Sequence, residues 1–166
     1  MNGYETAAVT LHTRMGNAPY EEVNLGTGTP ALGERVTSIA RRMRQPNADL
    51  PEPAELVAQL ATLYGEPTWL NIDRYNGTSL QYVWTASGQM PPQNERPCEF
   101  RGFESYSYRT DRSLVDTTEC LAILSMSYES RAGQSIVRFN LTDYQLLRMN
   151  IAETDRQISD YLESNT

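Results

Sequence analysis

The chain has 166 residues and a formal net charge of −7, from 21 acidic and 14 basic residues. Its length and its hydrophobic content of 39% predict one domain over residues 1–166. The excess of acid argues against a nucleic acid partner, and the absence of lysine excludes Schiff-base chemistry and Walker-type phosphate loops.

The first predicted element is a helix over residues 4–15. Apolar side chains recur at spacings of three and four, and Gly16 follows at the position of a helix C-cap. Alternation of Val9, Leu11 and Thr13 also fits a strand. His12, the only histidine, lies in this segment without another metal-ligand or triad residue at a suitable spacing.

Two strands are expected next, over Tyr20–Leu25 and from Arg35 to about Met43. The second carries a cluster of arginines at its end, namely Arg41, Arg42 and Arg44. Such a cluster fits either a site for an anionic ligand or a solvated edge strand whose charges discourage further pairing.

Residues 54–64 have the strongest helix pattern in the chain. Proline at the entry and Glu55 in the first turn suit the amino end of a helix, and leucines form an apolar stripe. Gly65 ends the pattern and Pro67 prevents its continuation.

Two β-hairpins follow. The first surrounds Asn76-Gly77, which favours a type I′ turn, and places Leu70 and Ile72 on one face of its first strand. The second surrounds Ala132-Gly133.

The chain closes with a predicted helix of about 20 residues from Asp143. Thr142 and Gln145 have the spacing of a capping box. Its predicted buried face contains Tyr144, Leu147, Ile151, Ile158 and Leu162. The order of elements predicts an α+β fold, an antiparallel sheet built from two hairpins plus N-terminal strands, with about three helices packed mainly on one face.

Cys98 and Cys120 are the only cysteines, and we favour a disulfide between them. The alternative is a free thiol nucleophile beside Arg96 or Arg101. A disulfide implies a periplasmic or secreted protein. Because the start of the chain lacks the features of a signal peptide, we expect that a leader has been removed or that the domain was cut from a longer precursor. No run of residues is apolar enough to span a membrane.

The segment between the cysteines is rich in tyrosine and arginine, residue types that concentrate in recognition surfaces. We therefore expect it to contact another protein through Arg101, Phe103, Tyr106, Tyr108, Arg109 and Arg112. Alternating tyrosines that cover a sheet are the other interpretation. Five carboxylates in or beside the segment fit a small hydrolase or lyase, or a calcium site, although mutual neutralisation with the arginines explains them better; they are Glu99, Glu104, Asp111, Asp116 and Glu119. We expect no cofactor and no metal.

From Val36 onward the chain resembles poorly characterised secreted or periplasmic bacterial α+β domains. The resemblance rests on the strand with Val36 and Ile39, the helix that ends at 63–67, the strand with Trp84, and the two cysteines. It covers about three quarters of the chain and implies an extracytoplasmic bacterial setting, without an activity. We expect a non-catalytic binding or accessory domain, of which an immunity-type inhibitor that blocks a toxin is one form.

Overall fold

The computed structural model describes residues 8–12, 20–27, 33, 35–73, 77–95, 98 and 119–164. These residues form eight strands and two α-helices. The strands are β1 (Ala8–His12), β2 (Tyr20–Thr27), β3 (Val36–Pro46), β4 (Trp69–Asp73), β5 (Gly77–Thr85), β6 (Gly88–Gln89), β7 (Ala122–Arg131) and β8 (Gln134–Asp143). The helices are α1 (Pro53–Tyr64) and α2 (Tyr144–Ser164), and a 3-10 turn at Asn47–Asp49 follows β3.

The strands form one antiparallel sheet in the order β1-β2-β3-β8-β7-β5-β4, with β6 paired to β5. The two predicted hairpins, β4–β5 and β7–β8, are confirmed and lie side by side. The predicted type I′ turn at Asn76-Gly77 is wrong, because Gly77 is the first residue of β5 and pairs with Asp73. The N-terminal strands complete the sheet on the other side of β8. The α+β class is therefore confirmed for the described residues.

The turn between β7 and β8 shows why that hairpin is encoded locally. Its two residues, Ala132 and Gly133, have φ angles of 51° and 77°. Positive φ at both central residues is the requirement of a type I′ turn, whose twist matches that of paired strands.

The helices pack on opposite faces of the sheet, so the prediction that they lie mainly on one face is wrong. One face, which we call the α1 face, carries Leu80, Tyr82 and Met126 against α1. The other, the α2 face, carries Val83 and Ile123 against α2. Neighbouring residues of one strand point to opposite faces, so the adjacent residues Tyr82 and Val83 of β5 pack beneath different helices.

The predicted helix over residues 4–15 is also wrong, because residues 8–12 form β1. Five residue pairs, from Ala8 with Gly26 to His12 with Glu22, join β1 to β2. Pairing with a neighbouring strand satisfies the backbone of this segment, so the alternating interpretation prevails over the helical one. The described residues thus contain two α-helices rather than about three.

Helix α2 begins where expected, but its cap and its outer half differ from the prediction. The Leu146 N–H donates to Oδ1 of Asp143 at 2.8 Å, so Asp143 is the N-cap, whereas Thr142 is the penultimate residue of β8. Leu147 and Ile151 pack against the core, as predicted. Residues 156–164 are all exposed, and Ile158 and Leu162 therefore do not belong to the buried face.

Candidate protein-binding surfaces

Cys98 and Cys120 form a disulfide, which excludes the alternative of two free thiols. Both cysteines are buried in the core of the α2 face, with Val83, Ile123 and Tyr144. Their Cα atoms are 6.9 Å apart, so the two cysteines that bound the segment lie close together.

The returning end of this segment is bound to the first turns of α2. The Tyr144 N–H donates to the carbonyl of Leu121 at 2.8 Å. Arg148 donates through Nη2 to the carbonyl of Cys120 and through Nε to that of Tyr144, the latter at 3.2 Å. Helix α2 thus holds Cys120 and Leu121, the residues that connect the segment to β7.

The residues predicted to bind a partner lie outside the described residues. They are Arg101, Phe103, Tyr106, Tyr108, Arg109 and Arg112. Of the five carboxylates, only Glu119 is described, and it is exposed. Within the described part of the chain, no group of three or more His, Cys, Asp or Glu residues is arranged to hold a metal ion.

The arginines of β3 do not form one site. Arg41 lies on the α1 face and bonds through Nε to Oε1 of Glu21 at 2.7 Å. Arg44 lies on the α2 face and donates to Oε1 of Gln134 at 2.5 Å. Nor is β3 an edge strand, because β2 and β8 pair with it on either side. Arg41 therefore cannot share an anion site with Arg42 and Arg44, and the predicted protection of a sheet edge is wrong.

Arg42 occupies a polar row on the α2 face. It lies opposite Glu22 on one side and Arg138 on the other. Its guanidinium carbon is 5.6 Å from the centre of the Tyr20 ring, while Arg138 forms an ion pair with Glu129 at 2.6 Å. The buried Nε of Arg42 has no hydrogen-bond acceptor among the described residues. The aromatic ring and the neighbouring carboxylates offset part of the charge in this row.

Three aromatic rings pack together where α1 ends. The Tyr64 ring centre is 5.4 Å from that of Tyr82 and 6.2 Å from that of Trp84. The Tyr82 hydroxyl donates to the carbonyl of Gly65 at 3.2 Å. Burial, followed by the proximity of Tyr64, raises the pKa of Tyr82, so its hydroxyl stays a hydrogen-bond donor at neutral pH. This cluster fixes the end of α1 on the sheet.

The exposed edge at β4 was not identified from the sequence. Leu70 and Ile72 share the α1 face, as predicted, yet they are 40% and 70% exposed. Strand β4 is the last of the described strands in the sheet order, and β5 is its described neighbour. The hydrophobic pattern alone does not reveal this position, because interior and edge strands share the same alternation.

Comparison of the chain with models of known protein families, with curated protein sequences and with solved structures finds no match. Among the described residues, neither helix is both long and apolar enough to cross a membrane.

Proposed function

We propose that this chain is a non-catalytic protein-binding or accessory domain of an extracytoplasmic bacterial protein. The disulfide supports a periplasmic or secreted setting, because such bonds persist in oxidising compartments. An immunity-type inhibitor is one specific form of such a domain, and the net charge of −7 suits it.

The observation that carries this proposal is the buried base of the segment between the cysteines. Cys98 and Cys120 are 6% and 3% exposed, and both belong to the core. A segment tied at one rigid place loses less conformational freedom on binding than one with free ends. Its tyrosines and arginines provide large contact areas and directional hydrogen bonds. Tyr106 and Tyr108 are the proposed centre of the contact.

The test compares the wild-type domain with a Tyr106→Ala/Tyr108→Ala variant. Each is immobilised and exposed to an extract of the native host, and the affinity of each retained protein is then measured with purified components. Loss of two central tyrosines should weaken binding by at least about 30-fold, since hot-spot residues contribute about 2 kcal/mol or more. The matched control is Tyr161→Ala, because Tyr161 is an exposed tyrosine of α2.

Circular dichroism and thermal melting establish that each variant is folded. Unchanged affinity in a folded Tyr106→Ala/Tyr108→Ala variant would overturn the proposed role of this segment. Equal weakening by Tyr161→Ala would overturn it as well.

A further inference from the structure

Three arginines lie close together on the α2 face of the sheet. Arg42 and Arg44 are two residues apart on β3 and therefore point to the same face. Arg138 lies directly opposite Arg42 on the neighbouring strand β8. We call Arg42, Arg44 and Arg138 the α2-face arginines. Arg41 does not belong to them, because it points to the α1 face and pairs with Glu21.

Arg42 is at the centre of this group and lacks an acceptor. Its buried Nε has none, and its two Nη atoms form no ion pair or hydrogen bond within the described part of the chain. It lies opposite Glu22, whose Oε1 accepts from Nδ2 of Asn24 at 3.0 Å. A guanidinium in partly desolvated surroundings attracts an anion strongly, because water screens its charge less there. The Nη atoms of Arg42 are therefore good donors for an anionic ligand.

The two other arginines add like charge beside Arg42. Side chains directly opposite each other on antiparallel strands have Cβ atoms about 5 Å apart, so the charges of Arg42 and Arg138 repel each other. Arg138 has a carboxylate partner, Glu129 at 2.6 Å, whereas Arg44 donates through Nε to the neutral amide of Gln134. An anion between the three guanidinium groups relieves this repulsion.

The surrounding strands leave the face positive. Four arginines and two glutamates of β2, β3, β7 and β8 point to it, by the alternation of each strand; they are Arg42, Arg44, Arg131, Arg138, Glu22 and Glu129. Asp73 also points to this face, but it lies on β4, three strands from β8 and about 14 Å away at the usual strand spacing. On α2, Glu153 and Asp160 pair with Arg156 of the same helix. The local excess of positive charge contrasts with the net charge of −7 for the chain.

We propose that the α2-face arginines bind the phosphate group of a small phosphorylated molecule or of inorganic phosphate. A phosphate group carries about −1.5 to −2 at pH 7, which matches the excess of positive charge better than one carboxylate does. The planar fork of a guanidinium can donate two hydrogen bonds to one phosphate. The Arg138 side chain is 21% exposed, so a small ligand can reach the group from solvent. This site is independent of the proposed protein-binding function and of the segment between the cysteines.

Isothermal titration calorimetry at low ionic strength, in a buffer without phosphate, tests the proposal. Inorganic phosphate and phenyl phosphate are titrated separately into the folded wild-type domain, and we expect binding. Arg42→Gln should weaken the affinity at least about 10-fold, because charge-assisted hydrogen bonds are lost. Arg44→Gln is the second variant and should weaken it in the same direction. Tighter binding of phenyl phosphate would identify a phosphate monoester as the ligand, and tighter binding of inorganic phosphate would identify the free ion.

The matched control is Arg41→Gln, which removes the same charge from the same strand but on the opposite face. It should change the affinity less than about twofold, because salt and water screen an exposed charge on the far side of the sheet. A thermal shift gives a second measurement: phosphate should raise the melting temperature of the wild type and of Arg41→Gln more than that of Arg42→Gln.

Three results would overturn the proposal. They are the absence of binding of both ligands to the wild type, equal weakening by Arg41→Gln, and unchanged affinity in folded Arg42→Gln and Arg44→Gln variants. Circular dichroism establishes that each variant is folded. Tighter binding of a hexaglutamate peptide than of either phosphate ligand would also overturn it, and would assign the α2-face arginines to an acidic segment of a partner protein instead.

Discussion

Gly77 lies directly against the backbone carbonyl of Tyr128, where β5 meets β7. A Cβ atom at position 77 would overlap that carbonyl oxygen, which belongs to the backbone and cannot rotate away. Gly77 also has a φ of 91°, a conformation that residues with a side chain rarely adopt. The sequence pattern assigns this glycine to a turn, whereas the structure places it at the start of β5 in close contact with β7.

We expect Gly77→Ala to lower the free energy of unfolding by more than about 3 kcal/mol, because it combines backbone strain with a steric overlap. Urea denaturation measures this loss. Gly88→Ala is the matched control: Gly88 has a φ of 109° but open space around its Cβ position. It should cost about 1–2 kcal/mol. Equal losses of free energy of unfolding in Gly77→Ala and Gly88→Ala would show that the contact with Tyr128 does not add to the cost.

Ser135 joins the β7–β8 hairpin to the 3-10 turn. Its hydroxyl donates to Oδ1 of Asn47 at 2.9 Å and is 2.7 Å from the Tyr128 hydroxyl, which must therefore donate to it. Ser135→Ala leaves a buried tyrosine hydroxyl without its acceptor and should cost about 1–3 kcal/mol in urea denaturation. Ser130 bonds to the same Asn47 oxygen at 3.3 Å but is exposed, so Ser130→Ala should cost less than about 0.5 kcal/mol. A larger effect at Ser130 would contradict this assignment.

The disulfide should contribute substantially to stability. It joins residues separated by 22 positions. Because such a crosslink restricts the unfolded chain, it should raise the free energy of unfolding by about 3 kcal/mol. A Cys98→Ala/Cys120→Ala variant should therefore unfold at a lower urea concentration than the wild type. The wild type in reductant should have a urea midpoint close to that of this variant. Identical midpoints for oxidised and reduced wild type would refute the expectation.

The two hairpins and helix α1 were predictable from local sequence, while the arrangement of the elements was not. The turn at Ala132-Gly133 was readable because its backbone requirement depends on two adjacent residues. By contrast, β3 pairs with β8 across about 100 residues of chain, from Ser38 with Thr142 to Pro46 with Gln134. The order of the described strands places β4 at the end of the sheet, so the exposure of Ile72 could not be read from its pattern.

The two faces of the sheet explain the errors about the helices. Val83 and Tyr82 are adjacent in sequence, yet each belongs to a different core beneath a different helix. The alternation along a strand separates its two faces but does not reveal which helix covers which face. Similarly, the apolar stripe of α2 continues to Leu162, but only its first half reaches the core.

The start of α2 offers a direct choice between the sequence pattern and the structure. Asp143 accepts the Leu146 N–H, so Asp143→Ala should destabilise the domain by about 1 kcal/mol. The sequence pattern instead assigns the capping box to Thr142 and Gln145. Gln145 is exposed, and Gln145→Ala should have almost no effect in thermal or urea denaturation. The reverse result would favour the capping box.

The contribution of Glu153, in α2, to the stability of the domain should depend on pH. Hydrogen bonds from Arg156, at 2.6 and 3.0 Å, and then from Gln157, at 3.0 Å, lower the pKa of Glu153 from 4.5 to about 2. A carboxyl group whose pKa is lower in the folded state stabilises that state above pH 4.5, and this contribution is lost as the pH falls toward 2. Glu153→Gln should therefore lower the melting temperature slightly at pH 7, and its difference from wild type should shrink between pH 4.5 and 2. Thermal melting followed by circular dichroism measures this. When Arg156→Gln is also present, Glu153→Gln should change the melting temperature much less. An equally large change would show that the ion pair with Arg156 does not cause it.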